Sequence, residues 1–186
     1  MKLRGEELKR RAEEAQISVE ALASAVDRTG LSGGDAVSAG RNWIGGRDQP
    51  RCKKADIERL AEAVGCEAKD IARFVSGVRF HRGSDRKAGL VAGLVRGKSY
   101  YEASDLLRFN PKRAAVNVRK ALDAALAGAQ EVGVGTDMLS VAEARVDQGP
   151  HIKRFQPKDR GRAHPILKRT SHITIGLQER VGAARY

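Results

Sequence analysis

Large aromatic side chains are scarce in this chain: Phe, Tyr and Trp make up 4% of its 186 residues. A core of that composition has to be assembled from Leu, Val, Ile and Ala, with many small side chains in close contact. Cysteine is scarce too. Cys52 and Cys66 are the only two, too few for a disulfide framework and without a neighbouring histidine in zinc-knuckle spacing. They are expected to be two buried or half-exposed thiols. No apolar run approaches the roughly 18–20 residues needed to cross a bilayer. The opening Met1-Lys2-Leu3-Arg4-Gly5-Glu6-Glu7 has no apolar stretch behind its basic residues, so a secretory signal is not expected. A cytoplasmic chain without a membrane partner is the expectation.

Catalytic constellations are missing as well. The sequence contains no phosphate-binding P-loop, no dinucleotide fingerprint and no Ser–His–Asp set in a plausible context. Three of the four histidines, His151, His164 and His172, lie in one basic stretch. Their wide spacing, their positive surroundings and the lack of clustered carboxylates argue against a metal. Asp159 lacks the paired carboxylate of a nuclease metal centre. The expectation is a protein that is not an enzyme and holds no cofactor or metal.

Acidic residues are depleted in only one half. Residues 1–77 carry 14 Lys/Arg against 13 Asp/Glu, whereas residues 78–186 carry 21 against 10, which places +11 of the net +12 in the second half. A nearly neutral front and a strongly basic back argue for two modules, with a polyanionic partner for the second. The absence of a basic amphipathic helix bearing large apolar residues weighs against anionic lipid as that partner.

In the front module, residues 6–15 (EELKRRAEEA) place Leu8, Ala12 and Ala15 at helical spacing. Ser18 is placed to cap a second helix carrying Leu22, Ala23 and Val26. Residues 30–40, rich in Gly and Ser, read as a loop or weak element. Residues 54–64 read as a helix with Ile57, Leu60, Ala61 and Val64 on one face and Gly65 as its stop. Ile71, Phe74 and Val75 suggest another turn or two of helix. Trp43 is expected in the core, because the module has few other large residues to bury. The opening EELKRRAEEAQISVEALASAV and the later RNWIGGRDQPR resemble the helix-turn-helix domain of the lambda-repressor and Cro type over residues 4–74. That resemblance implies a small all-α domain, in which Arg41, Asn42 and Arg47 would be the candidates to reach DNA bases. The stretch between Val26 and Arg41 is longer and more Gly-rich than that family's usual turn. With the module's near-zero charge, this favours a docking or RNA-contacting role.

In the back module, residues 78–82 (VRFHR) alternate like a half-buried strand. Ser84 opens a helix over residues 85–95 whose inner face is Ala88, Val91, Ala92 and Val95, with Gly97 as its stop. Ser99 and Glu102 form a capping box before a short helix bearing Ala103, Leu106 and Leu107. Asn110-Pro111 reads as the start of a long helix, with Pro at its first position. Ala115, Val118, Leu122, Ala125 and Ala129 line one face of that helix. The period then changes to that of strands, over residues 139–146 and 172–177.

Between those strands lies GPHIKRFQPKDRGRAHPILKRTSH, residues 149–172. It carries Lys153, Arg154, Lys158, Arg160, Arg162, Lys168 and Arg169 against a single acid, Asp159. As an arm continuing both strands it would repel itself in water and bury little. Phosphates around it give the charge a purpose, with Arg offering bidentate contacts. Pro150, Pro157 and Pro165 discourage regular ladder bonding. Phe155 is the one aromatic available to pack or to meet a base.

The run GPHIKRFQPKDRGRAHPILKRTSHITIGLQER closely resembles the C-terminal signature of the uL22 family of ribosomal proteins. SDRKAGLVAGLVRGKSYYEASDLLRFNPKRAAVNVRKALDAALAGAQ resembles that family's three helices. Together they cover about residues 78–180. The resemblance implies an α+β domain: a three-stranded antiparallel sheet packed on three helices, with a long extended β-hairpin, here about residues 145–172. It implies a structural constituent of the large ribosomal subunit that binds 23S-type large-subunit rRNA, supports its assembly and contacts neighbouring ribosomal proteins. The hairpin would line the exit tunnel and meet the nascent polypeptide. The domains would be 1–75 and 76–186. The implied rRNA-binding residues are Arg82, Arg86, Lys87, Lys112, Arg113, Lys153, Arg154, Lys158, Arg160, Gly161, Arg162, Lys168, Arg169, Thr170, Ser171 and His172. The chain departs from the family pattern at Asp85, where Pro is common, and in its fused front module. A DNA-binding regulator acting through that module is the alternative function.

Overall fold

A computed structural model describes residues 1–26 and 33–180. The chain divides into two compact units, Met1–Phe74 with Val132–Val134, and Val75–Glu131 with Gly135–Tyr186.

The first unit is built of short helices: α1 (Gly5–Glu14), α2 (Val19–Ala25), α3 (Gly34–Ile44), α4 (Lys54–Val64) and α5 (Ala68–Ile71). It is not wholly helical, because a two-residue strand β1 (Lys2–Leu3) pairs antiparallel with Ala72 and Arg73. The caps follow from the sequence. Ser18 Oγ accepts the Ala21 N–H and Asp56 Oδ2 accepts the Lys53 N–H at the start of α4. Gly65 ends α4 in the left-handed region, at φ 72°. Leu8, Leu22, Ala39, Trp43, Ile57, Leu60 and Ile71 fill the core. Trp43 is buried as expected, and its indole N–H donates to the Pro50 carbonyl.

Two expectations here are corrected. The loop or weak element expected over residues 30–40 is a regular helix from Gly34 onward, because Ala36, Ala39, Gly40 and Trp43 fall on one buried face. Residues 30–32 of that reading lie outside the described residues. The turn of helix expected around Phe74 and Val75 is strand, since α5 ends at Ile71 and β2 (Ala72–Arg82) begins at the next residue.

In the second unit come α6 (Asp85–Val95), α7 (Tyr100–Arg108) and α8 (Arg113–Gln130). They are followed by β3 (Leu139–Gln148), β4 (Ile152–Pro157), β5 (Ala163–Lys168) and β6 (Thr170–Glu179). β6 lies between β2 and β3. The β3–β6 ladder is antiparallel from Leu139↔Glu179 to Gln148↔Ser171, with a bulge near Ala142. β2 also runs antiparallel to β6, since Gly77 sits beside Ile173 and Thr174 while Phe80 donates its N–H to His172. The core is what a chain poor in aromatics must make. Ala88, Val91, Ala92 and Val95 of α6 meet Ala115, Val118, Leu122, Ala125 and Ala129 of α8 over Val141, Ile173, Ile175 and Leu177 of the sheet. Small side chains allow the helices to sit close, and the area removed from water is the main stabilising term.

The Ser99–Glu102 capping box opens α7 as expected. α8 starts later than expected, at Arg113 with Lys112 as its N-cap, rather than with Pro111 as its first residue. Asn110 Oδ1 accepts the Lys112 N–H. This local turn occupies the dipeptide that would otherwise begin the helix.

Gly5 tests the packing of the first unit. A Cβ there would stand 2.2 Å from the Trp43 carbonyl oxygen, far inside contact distance, so Gly5→Ala has to move backbone. The variant should lose about 1–3 kcal/mol. Urea unfolding followed by fluorescence of Trp43, the sole tryptophan, should show a lower midpoint. An unchanged midpoint would show that the contact relaxes freely.

Candidate nucleic-acid interface

The basic arm is a second two-stranded ladder, β4 with β5, running from Ile152↔Lys168 to Pro157↔Ala163. Almost every residue of both strands is exposed, so the arm contributes charge and surface rather than core. The ladder is regular despite its prolines, which corrects the expectation that they would disrupt it. The Lys158 N–H donates to the Arg162 carbonyl. Counting back by alternation, Pro157 and Pro165 fall in pairs whose N–H groups point away from the partner strand, so no ladder bond is lost.

The tip is a tight turn. Arg160 (φ 56°, ψ 39°) and Gly161 (φ 70°) are both left-handed, and the Arg162 N–H reaches the Asp159 carbonyl. Left-handed backbone is easy for Gly and strained for Arg. Lys158, Arg160 and Arg162 therefore project from one sharp end.

Pairing across the ladder gives the arm two dissimilar faces, because facing residues share a side and neighbours alternate. Lys153, Leu167, Phe155, Pro165, Pro157 and Ala163 lie on one face, and Ile152, Lys168, Arg154, Ile166, Gln156 and His164 on the other. The first is largely apolar and carries Phe155, 74% exposed.

At the root, Gly149 donates its N–H to the Thr170 carbonyl and Thr170 Oγ1 donates to the Pro150 carbonyl at 2.6 Å. A Cβ on Gly149 would stand 2.6 Å from that same Oγ1. Thr170 and Ser171 are buried, so their place is in the frame of the root. His172 accepts the Phe80 N–H at Nδ1, and its ring meets Phe80 edge-on at 4.8 Å between centroids. Phe80 itself has φ 55° and is 58% exposed. The period-2 pattern of residues 78–82 gave no sign of this kink. Arg169 reaches Asp85 at 3.7 Å. The Asp85 carboxyl is held below its usual range, first by the Arg86 N–H and also by Arg169.

A second group gathers at the start of α6 and α8. Arg82, Lys87, Lys112 and Arg113 line a cleft of about 490 Å³ together with His81, Gly83, Ser84, Ala88, Leu90 and Ala114. Arg86 follows Asp85 on the first turn of α6 and is exposed. Sequence reasoning missed His81, which is 9% exposed and takes the Asn117 side-chain amide on Nδ1 at 2.8 Å. The partners lie 36 residues apart, and no local pattern joins them. Among the described residues no group of three or more His, Cys, Asp or Glu is placed to hold a metal ion. None of the described helices is long and apolar enough to cross a membrane. Cys52 and Cys66 are not joined in a disulfide; the first is buried and the second partly so.

A small α/β body thus carries a charged two-stranded arm and cations clustered at helix starts, a surface suited to a polyanion. Residues 77–178 match the family Ribosomal protein L22p/L17e, more than half of the chain, and the chain belongs to that family. It is accordingly an RNA-binding ribosomal protein whose partners are rRNA and other ribosomal proteins.

Burial, and to a lesser extent Arg113, pushes the His81 imidazole below its ordinary value. A depressed folded-state value favours the folded unit while His81 is neutral. That stability is present above the unfolded value of about 6.5 and is lost as pH falls from there through the folded value. The melting temperature of the parent chain should therefore fall more between about pH 7.5 and about pH 5 than that of His81→Gln, which cannot titrate. Equal falls would show that His81 protonation is not linked to folding.

Proposed function

We propose that the chain is a constituent of the large ribosomal subunit in the cytoplasm. Its domain of residues 76–186 binds 23S-type rRNA and supports assembly, and its hairpin, residues 145–172, reaches along the wall of the exit tunnel. The observation that carries this reading is the arm: twelve paired residues with almost no burial, seven cations from Lys153 to Arg169, and one acid. Such a ribbon gains nothing from a core and repels itself in water. Phosphates on several sides relieve that repulsion.

The contacts follow from position. Lys153, Arg154, Lys158, Arg160, Arg162 and Lys168 meet phosphates along the arm, with Gly161 supplying the turn. Arg82, Arg86, Lys87, Lys112 and Arg113 do so at the helix starts, and Arg169, Thr170, Ser171 and His172 hold the root in register with them. The largely apolar face of Phe155, Pro157, Pro165 and Leu167 suits a nascent polypeptide.

For the front domain, residues 1–75, we propose a helix-turn-helix-like docking module that contacts surface rRNA or a neighbouring ribosomal protein. Its cations are largely engaged at home. Arg4, Arg10 and Arg11 surround the buried Glu7, and Arg11 also reaches Asp70. Two of the three candidates for base reading are also engaged: Arg41 lies 3.9 Å from Glu20, and Asn42 donates its amide to the Gln49 carbonyl. These contacts favour docking over a sequence-reading regulator.

Affinity of the full chain for a large-subunit rRNA fragment should fall steeply with salt. Deleting residues 153–167 removes five cations and should reduce the slope of log affinity against log salt by about one to four, while the helical circular dichroism persists. A slope unchanged by the deletion would remove the arm from the RNA interface.

Repeated selection of random duplex DNA by the full chain should recover no defined motif at physiological salt. A motif that is lost with Asn42→Ala would instead make the front domain a DNA reader.

A further inference from the structure

The geometry points to the cleft over His81 as a pocket for one unstacked RNA nucleotide, base inward and phosphate on the rim. This rests on the RNA-binding reading above and specifies what one part of that interface recognises.

The cleft is too large and too apolar for a phosphate alone. Its volume is about 490 Å³, and its walls are mostly carbon, from Ala88, Leu90, Ala114 and the stems of longer side chains. A site for a bare anion would present donors on all sides. Here the charge stands among the lining residues as Arg82, Lys87, Lys112 and Arg113, with no acid among them. An apolar interior within a ring of cations matches a nucleotide, whose base is flat and largely apolar on its faces and whose phosphate is anionic.

Two details sharpen the fit. His81 Nδ1 takes the Asn117 amide hydrogen, so in the neutral ring the proton sits on Nε2. A side chain at position 83 would cover that edge, since even a Cβ there would lie 2.6 Å from Nε2. Gly83 leaves the Nε2–H open as a donor to a carbonyl oxygen or ring nitrogen of a base. In addition, α8 is 18 residues long, has no side-chain cap on its N-terminus and has no acid in its first turn. Its first residues, Arg113 and Ala114, line the cleft beside Lys112, and a helix N-terminus there favours a phosphate.

The experiment uses the full chain and three RNA hairpins of the same stem: one with a single bulged adenosine, one with an abasic residue in its place, and one fully paired. The parent chain should bind the bulged hairpin at least about tenfold more tightly than the abasic one at fixed salt. Gly83→Val, which fills the cleft, should erase that preference while affinity for the abasic hairpin stays within about twofold. Leu90→Ala trims an exposed wall at a position remote from the core, and should lower the preference by about threefold or more even if Gly83→Val fails to fold. Millimolar inorganic phosphate should leave the preference in place. Equal affinity for bulged and abasic hairpins, or a preference abolished by inorganic phosphate, would overturn the pocket and leave the RNA-binding reading standing. Failure to bind any of the three would overturn both.

Discussion

The ladder between β3 and β6 bears two loads. One end lies beneath α6 and α8 and contributes Val141, Ile173, Ile175 and Leu177 to the core. The other end leads directly into the arm. A slip of one residue in that ladder would turn the core-facing set outward, and it would also reverse the faces of everything attached beyond it. The packing of small side chains from α8 against β6 is therefore more than a source of stability. It holds the register from which the positions of Arg154, Arg160 and Lys168 are inherited.

Two different solutions to charge appear in the same chain. In the first unit, cations and acids are matched locally, as with Glu7 among Arg4, Arg10 and Arg11, and the balance is near neutral. In the second, the acids are few and the cations are left on extended or helix-terminal positions. Arg119, Arg145 and Arg169 are exceptions, paired with Asp123, Asp147 and Asp85. The contrast follows the division of labour: a matched surface has little long-range attraction for a polyanion, and an unmatched one has a great deal.

Much of this was legible along the chain, because the signals were local. Helices α1, α2, α4 and α6 followed from apolar spacing, α7 from its capping box, and the strands from alternation over residues 139–146 and 172–177. The charge of the arm was visible in a single run of residues. What escaped depended on distance or on competing local signals. Gly33 and Gly34 disguised the start of α3, although Ala36, Ala39 and Trp43 carried its period. Ile71, Phe74 and Val75 have helical spacing, but β1 recruits Ala72 and Arg73 into a sheet from the far end of the sequence. Pro157 and Pro165 looked like obstacles until the pairing assigned them to positions without ladder bonds. The His81–Asn117 contact and the cleft at Gly83 join parts of the chain that share no pattern.

The pairing also changes between the root and the arm. Gln148 faces Ser171, whereas Ile152 faces Lys168, so three residues on the outgoing strand, Gly149, Pro150 and His151, stand opposite two on the return. One strand takes the longer path around the bend, as the outer rail does on a curve. The arm leaves the body at a heading set by that one surplus residue and by the Thr170 hydroxyl that pins Pro150. Removing a single residue at the bend would leave the sheet and the arm each intact and aim the arm elsewhere.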